Sequence, residues 1–215
     1  MLKINEMFDL THTLASDYLK RYDAPWEALD GIASMIIELG AQLPTDEFTQ
    51  VRENVWVARD AVVFPSAYLG APCIIGHGTE VRHCAFIRGA ALVGDNCVVG
   101  NSVELKNVIL FDNVQTPHYN YVGDSILGYR SHMGAGSITS NVKSDKTLVR
   151  SCGIETGLKK MGAMLGDFAE IGCNSVLNPG TVIGPHSNIY PTSSVRGTVP
   201  ANHIFKNENE IIPKK

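Results

Sequence analysis

A period of six residues, held over most of the chain, constrains this sequence more than any other feature. Val57, Val63, Leu69, Ile75, Val81, Ile87, Val93, Val99 and Leu105 recur six apart without a miss. A small or modest side chain follows four residues after the first eight of them, from Ala61, Ala67 and Cys73 through to Cys97 and Val103. The rhythm resumes at Leu127-Gly128 and Met133-Gly134. It then runs from Leu165-Gly166 through Ile171, Leu177, Ile183 and Ile189 to Val195. Neither the 3.6-residue turn of a helix nor the alternation of a strand keeps such a period. A solenoid does: each hexad forms one flat side of a triangular coil, aliphatic residues inside and small ones near the corners. Three hexads close an eighteen-residue coil, and successive coils stack at about 4.8 Å. Glycine after the aliphatic residue, as at Gly70, Gly76, Gly94 and Gly100, suits corners, where positive φ is often needed.

Residues 1–50 lie outside the rhythm. Trp26, Leu29, Ile32, Ala33, Ile36 and Ile37 have helical spacing, with Gly40 and Pro44 as stop signals. A shorter helix is expected around Leu14 to Tyr22. The segment reads as a cap over the open end of the solenoid, or else as a recognition or oligomerisation element. The solenoid should occupy residues 51–200, with insertions at 111–121 and 141–163. The second insertion is rich in Lys and Arg, and long solenoid insertions are the usual seat of function. Residues 201–215 should leave the coil as a mobile tail.

Composition narrows the partners. With 44% hydrophobic and 19% charged residues among 215, the chain is long and apolar enough for a substantial core. A net charge of -4 gives no global pull toward nucleic acid or an anionic membrane. No apolar run approaches the roughly 18 residues that span a bilayer. The first residues lack the layout of a signal peptide, so a cytoplasmic protein is expected. The five cysteines show no zinc spacing and should be free thiols; no metal is expected.

Arg88 and Lys106 lie one coil apart, each directly after an interior aliphatic residue. They should stack on one outer face, where two like charges about 5 Å apart repel by roughly 1 kcal/mol even in water. Either an anion such as phosphate sits between them, or the pair is simply solvated, or Glu104 neutralises it. His118, between Pro117 and a Tyr-rich run, has the residue type for general-base work on an acyl acceptor.

Gly100-Asn101-Ser102-Val103-Glu104-Leu105-Lys106-Asn107, then His118-x-x-Tyr121-Val122-Gly123-Asp124, then Met133-Gly134-Ala135-Gly136-Ser137-Ile138-Thr139-x-Asn141 together resemble a known domain. They are similar to the acetyltransferase domain of the bifunctional N-acetylglucosamine-1-phosphate uridyltransferase/glucosamine-1-phosphate acetyltransferase family, in its archaeal-like sugar-1-phosphate nucleotidylyltransferase branch. Hexapeptide chains of this kind resemble left-handed parallel β-helices, so the resemblance implies a mainly β, left-handed β-helix with a helical N-terminal cap. It implies an acetyl-CoA-dependent acetyltransferase in which His118 deprotonates the amine of an amino sugar phosphate for direct attack on the thioester. Arg88 and Lys106 would grip the phosphate, Glu104, Tyr121 and Asn141 would position the sugar, and Ala135 and Cys173 would meet acetyl-CoA. A homotrimer with sites between subunits is implied as well. Residues 1–50 leave no room for the uridyltransferase domain.

His132, Val142, Cys173 and Glu208 depart from the family pattern, which points to a different phosphorylated or nucleotide sugar. Two other readings stay open: a non-catalytic trimeric scaffold or sugar-nucleotide sensor, and a metalloprotein like the γ-class carbonic anhydrases. His83 and His118 have the spacing for the latter, but the third histidine is missing from positions 119–124.

Overall fold

The computed structural model describes residues 3–214. Met1 and Leu2 of the expected cap and Lys215 of the expected tail lie outside the described residues. The hexads wind into a parallel β-helix of three walls. The first runs from Val55–Ala58 to Thr198–Val199, the second from Val62–Val63 to His203–Asn207, and the third from Tyr68–Leu69 to Ser194–Val195. Register follows the sequence period: Leu69 pairs with Ile87, and Ile87 with Leu105. Aliphatic residues at the hexad positions from Ile75 to Leu105 have no exposed surface.

The first wall is apolar on both faces. Ile74, Leu92, Ile109 and Ile126 point away from the interior, yet they too are completely buried. The N-terminal segment covers them, with the 3-10 turn Pro25–Gly31 leading directly into the helix Ile32–Gly40. Burying each such side chain is worth about 1.5–3 kcal/mol. The segment expected over an open end therefore lies along a side wall, and the reason is visible in sequence. Triplets such as Cys73-Ile74-Ile75 and Ala91-Leu92-Val93 leave an outward aliphatic residue that must be covered. Gly40 is required by this packing, because a Cβ there would run into the ring of Trp56. Backbone bonds fix the rest of the segment: the Asp112 amide donates to His12 O and the Asp167 amide to Met7 O, both at 3.0 Å.

Hairpins close the two ends instead. Phe48–Arg52 pairs antiparallel with Val55–Ala58, and Glu210–Pro213 with His203–Asn207. Residues 198–207 thus continue the coil beyond the point where a tail was expected, and most of that tail is a strand.

Residues 111–121, expected as an insertion, are ordinary coil. Gln115–His118 is a second-wall strand in which Thr116 pairs with Val99 and His118 with Asn101. The rhythm was lost because the coil is one residue short, Leu105 pairing with Val122 seventeen positions on. Residues 141–162 do leave the coil, at the corner between the third and first walls, before Ala163 returns to the first wall, paired with Thr181. They form the hairpin Arg150–Ser151/Ile154–Glu155 and fold back on later coils, Ser151 Oγ donating to Gly180 O at 2.9 Å. All five cysteines are free thiols, and burial pushes the Cys73 thiol up to about 12.

Candidate functional site

The third-to-first corner has two lengths. Between paired wall positions it carries three residues at Arg88-Gly89-Ala90, but two at Lys106-Asn107 and at Gly123-Asp124. The shortened corners turn on Asn107 at φ 55° and Asp124 at φ 48°. Asn and Asp enter this left-handed region more readily than other residues with a Cβ. The two therefore stack directly, Asn107 Nδ2 donating to Asp124 Oδ1 at 3.0 Å.

Asp124 is the hub of the corner. Its side chain is 5% exposed, and Lys106 Nζ donates to its Oδ1 at 2.8 Å. Asn141 donates its amide to Asp124 Oδ2 and also to the Tyr121 hydroxyl, the latter at 3.1 Å. Three donors satisfy a carboxylate that burial would otherwise make costly. Gly123 belongs to the same construction: a Cβ there would strike the Tyr121 hydroxyl and lie 3.0 Å from Asn141 Nδ2. Asp124 had no role in the sequence reading, although its eighteen-residue separation from Lys106 was available.

Arg88 and Glu104 complete the cluster on the third wall. Arg88 Nη1 donates to Glu104 Oε1 at 2.8 Å, and that carboxylate raises the already high guanidinium pKa. Each cation thus holds its own carboxylate, in place of one shared anion or a single neutralising Glu104. Burial, then the charges of Asp124 and Glu104, raise the Tyr121 phenol above its ordinary value. The hydroxyl stays protonated at the edge of a cluster of paired charges.

His118 lies elsewhere. As part of a paired strand and not of a free loop, it sits at the second-to-third corner, across the third wall from Asp124. Asp124 follows Tyr121 by three positions along that wall, about 10 Å of strand. The His118 side chain is exposed, and its backbone amide donates to Asn120 Oδ1 at 3.2 Å. Ala135 and Cys173 follow it up the same corner. The Gly136 amide donates to His118 O at 3.0 Å and the Asn174 amide to Ala135 O at 2.8 Å, so consecutive coils are zipped together here. Ala135 is half-buried and Cys173 exposed at this corner.

Of the departing residues, His132 is on the second wall with its Nδ1 2.9 Å from Glu170 Oε2, outside the cluster. Val142 begins the insertion, and Glu208 lies in the terminal hairpin turn. Among the described residues no three His, Cys, Asp or Glu side chains converge as metal ligands. Among the described residues no helix is long and apolar enough to cross a membrane.

Residues 69–151 match the family model described as GMPPB C-terminal domain. The bifunctional sugar-1-phosphate nucleotidylyltransferase/acetyltransferase of Sulfurisphaera tokodaii is 29% identical over 75% of this chain and 41% of its own length. The bifunctional protein GlmU of Methanococcus maripaludis is 28% identical over 99% of this chain and 53% of its own. The chain spans about half the length of the curated relatives it matches. Among solved structures, a mutant of perosamine N-acetyltransferase from Caulobacter crescentus with CoA and GDP-perosamine covers 86% of this chain and 66% of its own. Its identity is 18% and its TM-score 0.40. Because the match to the Methanococcus protein takes in 99% of a chain that is mostly coil, the shared portion includes the hexapeptide coil. The chain is a parallel β-helix of hexapeptide repeats, similar over nearly all of its length to part of the bifunctional sugar-1-phosphate nucleotidylyltransferase/acetyltransferases.

Proposed function

We propose that the protein is an acetyl-CoA-dependent N-acetyltransferase of an amino sugar phosphate, glucosamine-1-phosphate or a related nucleotide sugar. The observation that carries this reading is the third wall, with a cation cluster on one edge and a histidine on the other. The acceptor lies across that wall. Its phosphate replaces carboxylate oxygens around Arg88 and Lys106, and its hydroxyls meet Tyr121 and Asn141. Glu104, released by Arg88, is free to accept from a sugar hydroxyl. His118 takes the proton that the acceptor amine loses as its nitrogen attacks the thioester carbonyl, and the CoA thiolate departs. Ala135 and Cys173 hold the donor along the corner next to His118.

The third wall is open in a single chain, which fits a site closed by a neighbouring copy; a homotrimer in the cytoplasm is the proposed setting. The names of the relatives support the acetyl transfer, and the retained Lys106, His118, Tyr121 and Asn141 support the role assignments.

The test is thiol release from acetyl-CoA with glucosamine-1-phosphate and a panel of amino sugar phosphates. His118→Ala should lower kcat by about 10²- to 10⁴-fold with little change in acceptor KM. Arg88→Ala and Lys106→Ala should chiefly raise that KM. No turnover with any acceptor, together with no acetyl-CoA binding by calorimetry, overturns the enzyme reading in favour of a scaffold.

A further inference from the structure

The outward column of the third wall runs perpendicular to its strands, and its register is fixed. Tyr68 pairs with Phe86, Phe86 with Glu104, and Glu104 with Tyr121. The acceptor site takes the last two positions. The first two are aromatic rings that face solvent, Tyr68 at 51% and Phe86 at 43% exposure. Their centroids are 5.7 Å apart, and the Arg52 guanidinium stands 5.1 Å over the Tyr68 ring. Side by side, two exposed aromatics offer nothing to the interior of the coil. Their position ties them to the site, since Phe86 is two residues before Arg88 and one coil from Glu104.

We infer that Phe86 and Tyr68 are a stacking platform for the base of a nucleoside diphosphate, and that the acceptor is a nucleoside diphosphate-linked amino sugar. This rests on the acetyltransferase reading for the sugar, and it names the substrate class that reading leaves open. From Tyr121 to Tyr68 the column spans three strand spacings, about 14 Å. A sugar at Tyr121, a diphosphate at Lys106 and Arg88, and a nucleoside over Phe86 and Tyr68 occupy it in that order. Charge runs the same way: Lys106 and Arg88 meet the two phosphates, and Arg52 adds a cation at the far end. Aromatic faces accept any base, whereas hydrogen bonds would select one. The platform therefore predicts broad base tolerance combined with a firm need for a nucleoside.

Direct binding tests this without requiring turnover. By calorimetry, UDP, GDP and dTDP should each bind at least about 10-fold tighter than inorganic pyrophosphate. Phe86→Ala and the double variant Phe86→Ala/Tyr68→Ala should collapse that difference. Phe86→Trp should keep it, and its indole fluorescence should be quenched by each nucleotide. In acetyl transfer, the nucleoside diphosphate amino sugar should show a KM at least about 10-fold below that of the amino sugar 1-phosphate. Nucleotides that bind no better than pyrophosphate to both wild type and Phe86→Trp overturn the platform, even if the sugar phosphate is acetylated. A change of oligomeric state in Phe86→Ala, with nucleotide affinity unmoved in that same variant, makes the face a subunit contact and overturns it too. Nucleotide binding without acetyl transfer to any acceptor sustains the platform and removes the acetyltransferase reading.

Discussion

Two kinds of coil share this β-helix, and they differ at one corner by one residue. Where the third wall meets the first, earlier coils turn through Gly70-Ala71-Pro72 and Arg88-Gly89-Ala90, and a later one through Asn178-Pro179-Gly180. Between them, two coils turn through Lys106-Asn107 and Gly123-Asp124, and a third carries the long insertion after Thr139. In the longer Arg88 corner positive φ falls on Gly89 and Ala90, which bring no polar side chain. In the shorter ones it falls on Asn107 and Asp124, which bond to each other and gather Lys106, Tyr121 and Asn141. One residue fewer turns a structural corner into a polar cluster here, while both coil types keep the same stacked walls.

The largest expected effect comes from restoring that residue. Inserting one glycine between Gly123 and Asp124 gives the corner the three-residue length that neighbouring coils tolerate. The β-helix should remain folded by circular dichroism, while the carboxylate leaves Lys106 and Asn141. Acetyl transfer should fall by at least about 100-fold, the scale set by roughly 1 Å misplacements of positioning groups. An insertion variant with wild-type kcat/KM would show that the short corner is incidental.

A smaller effect separates the two ion pairs that line the corner. Arg88–Glu104 is 46% and 33% exposed, whereas Lys106–Asp124 is 28% and 5% exposed. Glu104→Ala should cost less than about 1 kcal/mol, as surface pairs do. Asp124→Ala leaves an ammonium and two amides without their acceptor and should cost about 2–3 kcal/mol. Urea unfolding of the two variants side by side checks the contrast, and equal costs would remove Asp124 from its place as hub.

This difference between coils also explains what could be read in advance. The hexad aliphatics from Ile75 to Leu105 announced the solenoid because burial repeats with the coil. The coils that begin near Leu105 broke the count by a single residue, which made residues 111–121 look like an insertion. The period still matches Arg88 to Lys106, so their shared corner was legible, whereas the division into two ion pairs was not, since Glu104 was read as the one carboxylate near both cations. Asp124 was not, because its importance comes from a corner length that shows only once register is known. The covering of the first wall had a signal in Ile74, Leu92 and Ile109, the middle residues of apolar triplets. A hexad count attends to the third residue of each triplet and passes over the second.

The smallest effect concerns the first-to-second corner, where the two coil types do not differ. Val93 to Val99, Leu110 to Thr116 and Leu127 to Met133 are all six-residue steps. Asp112 turns this corner, accepting the Asp95 amide at 2.9 Å with His12 3.9 Å from its other oxygen. Burial raises its carboxyl above the ordinary range, with the Asp95 charge adding to the rise, while the Asp95 amide and His12 work against it. A raised carboxyl binds its proton more tightly when folded. Its favourable contribution is therefore complete below the unfolded pKa and is lost as pH rises through the folded one. Asp112→Asn keeps an oxygen to accept the Asp95 amide and removes the charge. The variant should match wild type near pH 3 and gain stability relative to it above pH 5, by about 1 kcal/mol or less. Thermal midpoints of both proteins across that range measure the gain, and parallel pH profiles would refute it. Acetyl transfer should be unchanged, since a corner of constant length carries none of the cluster.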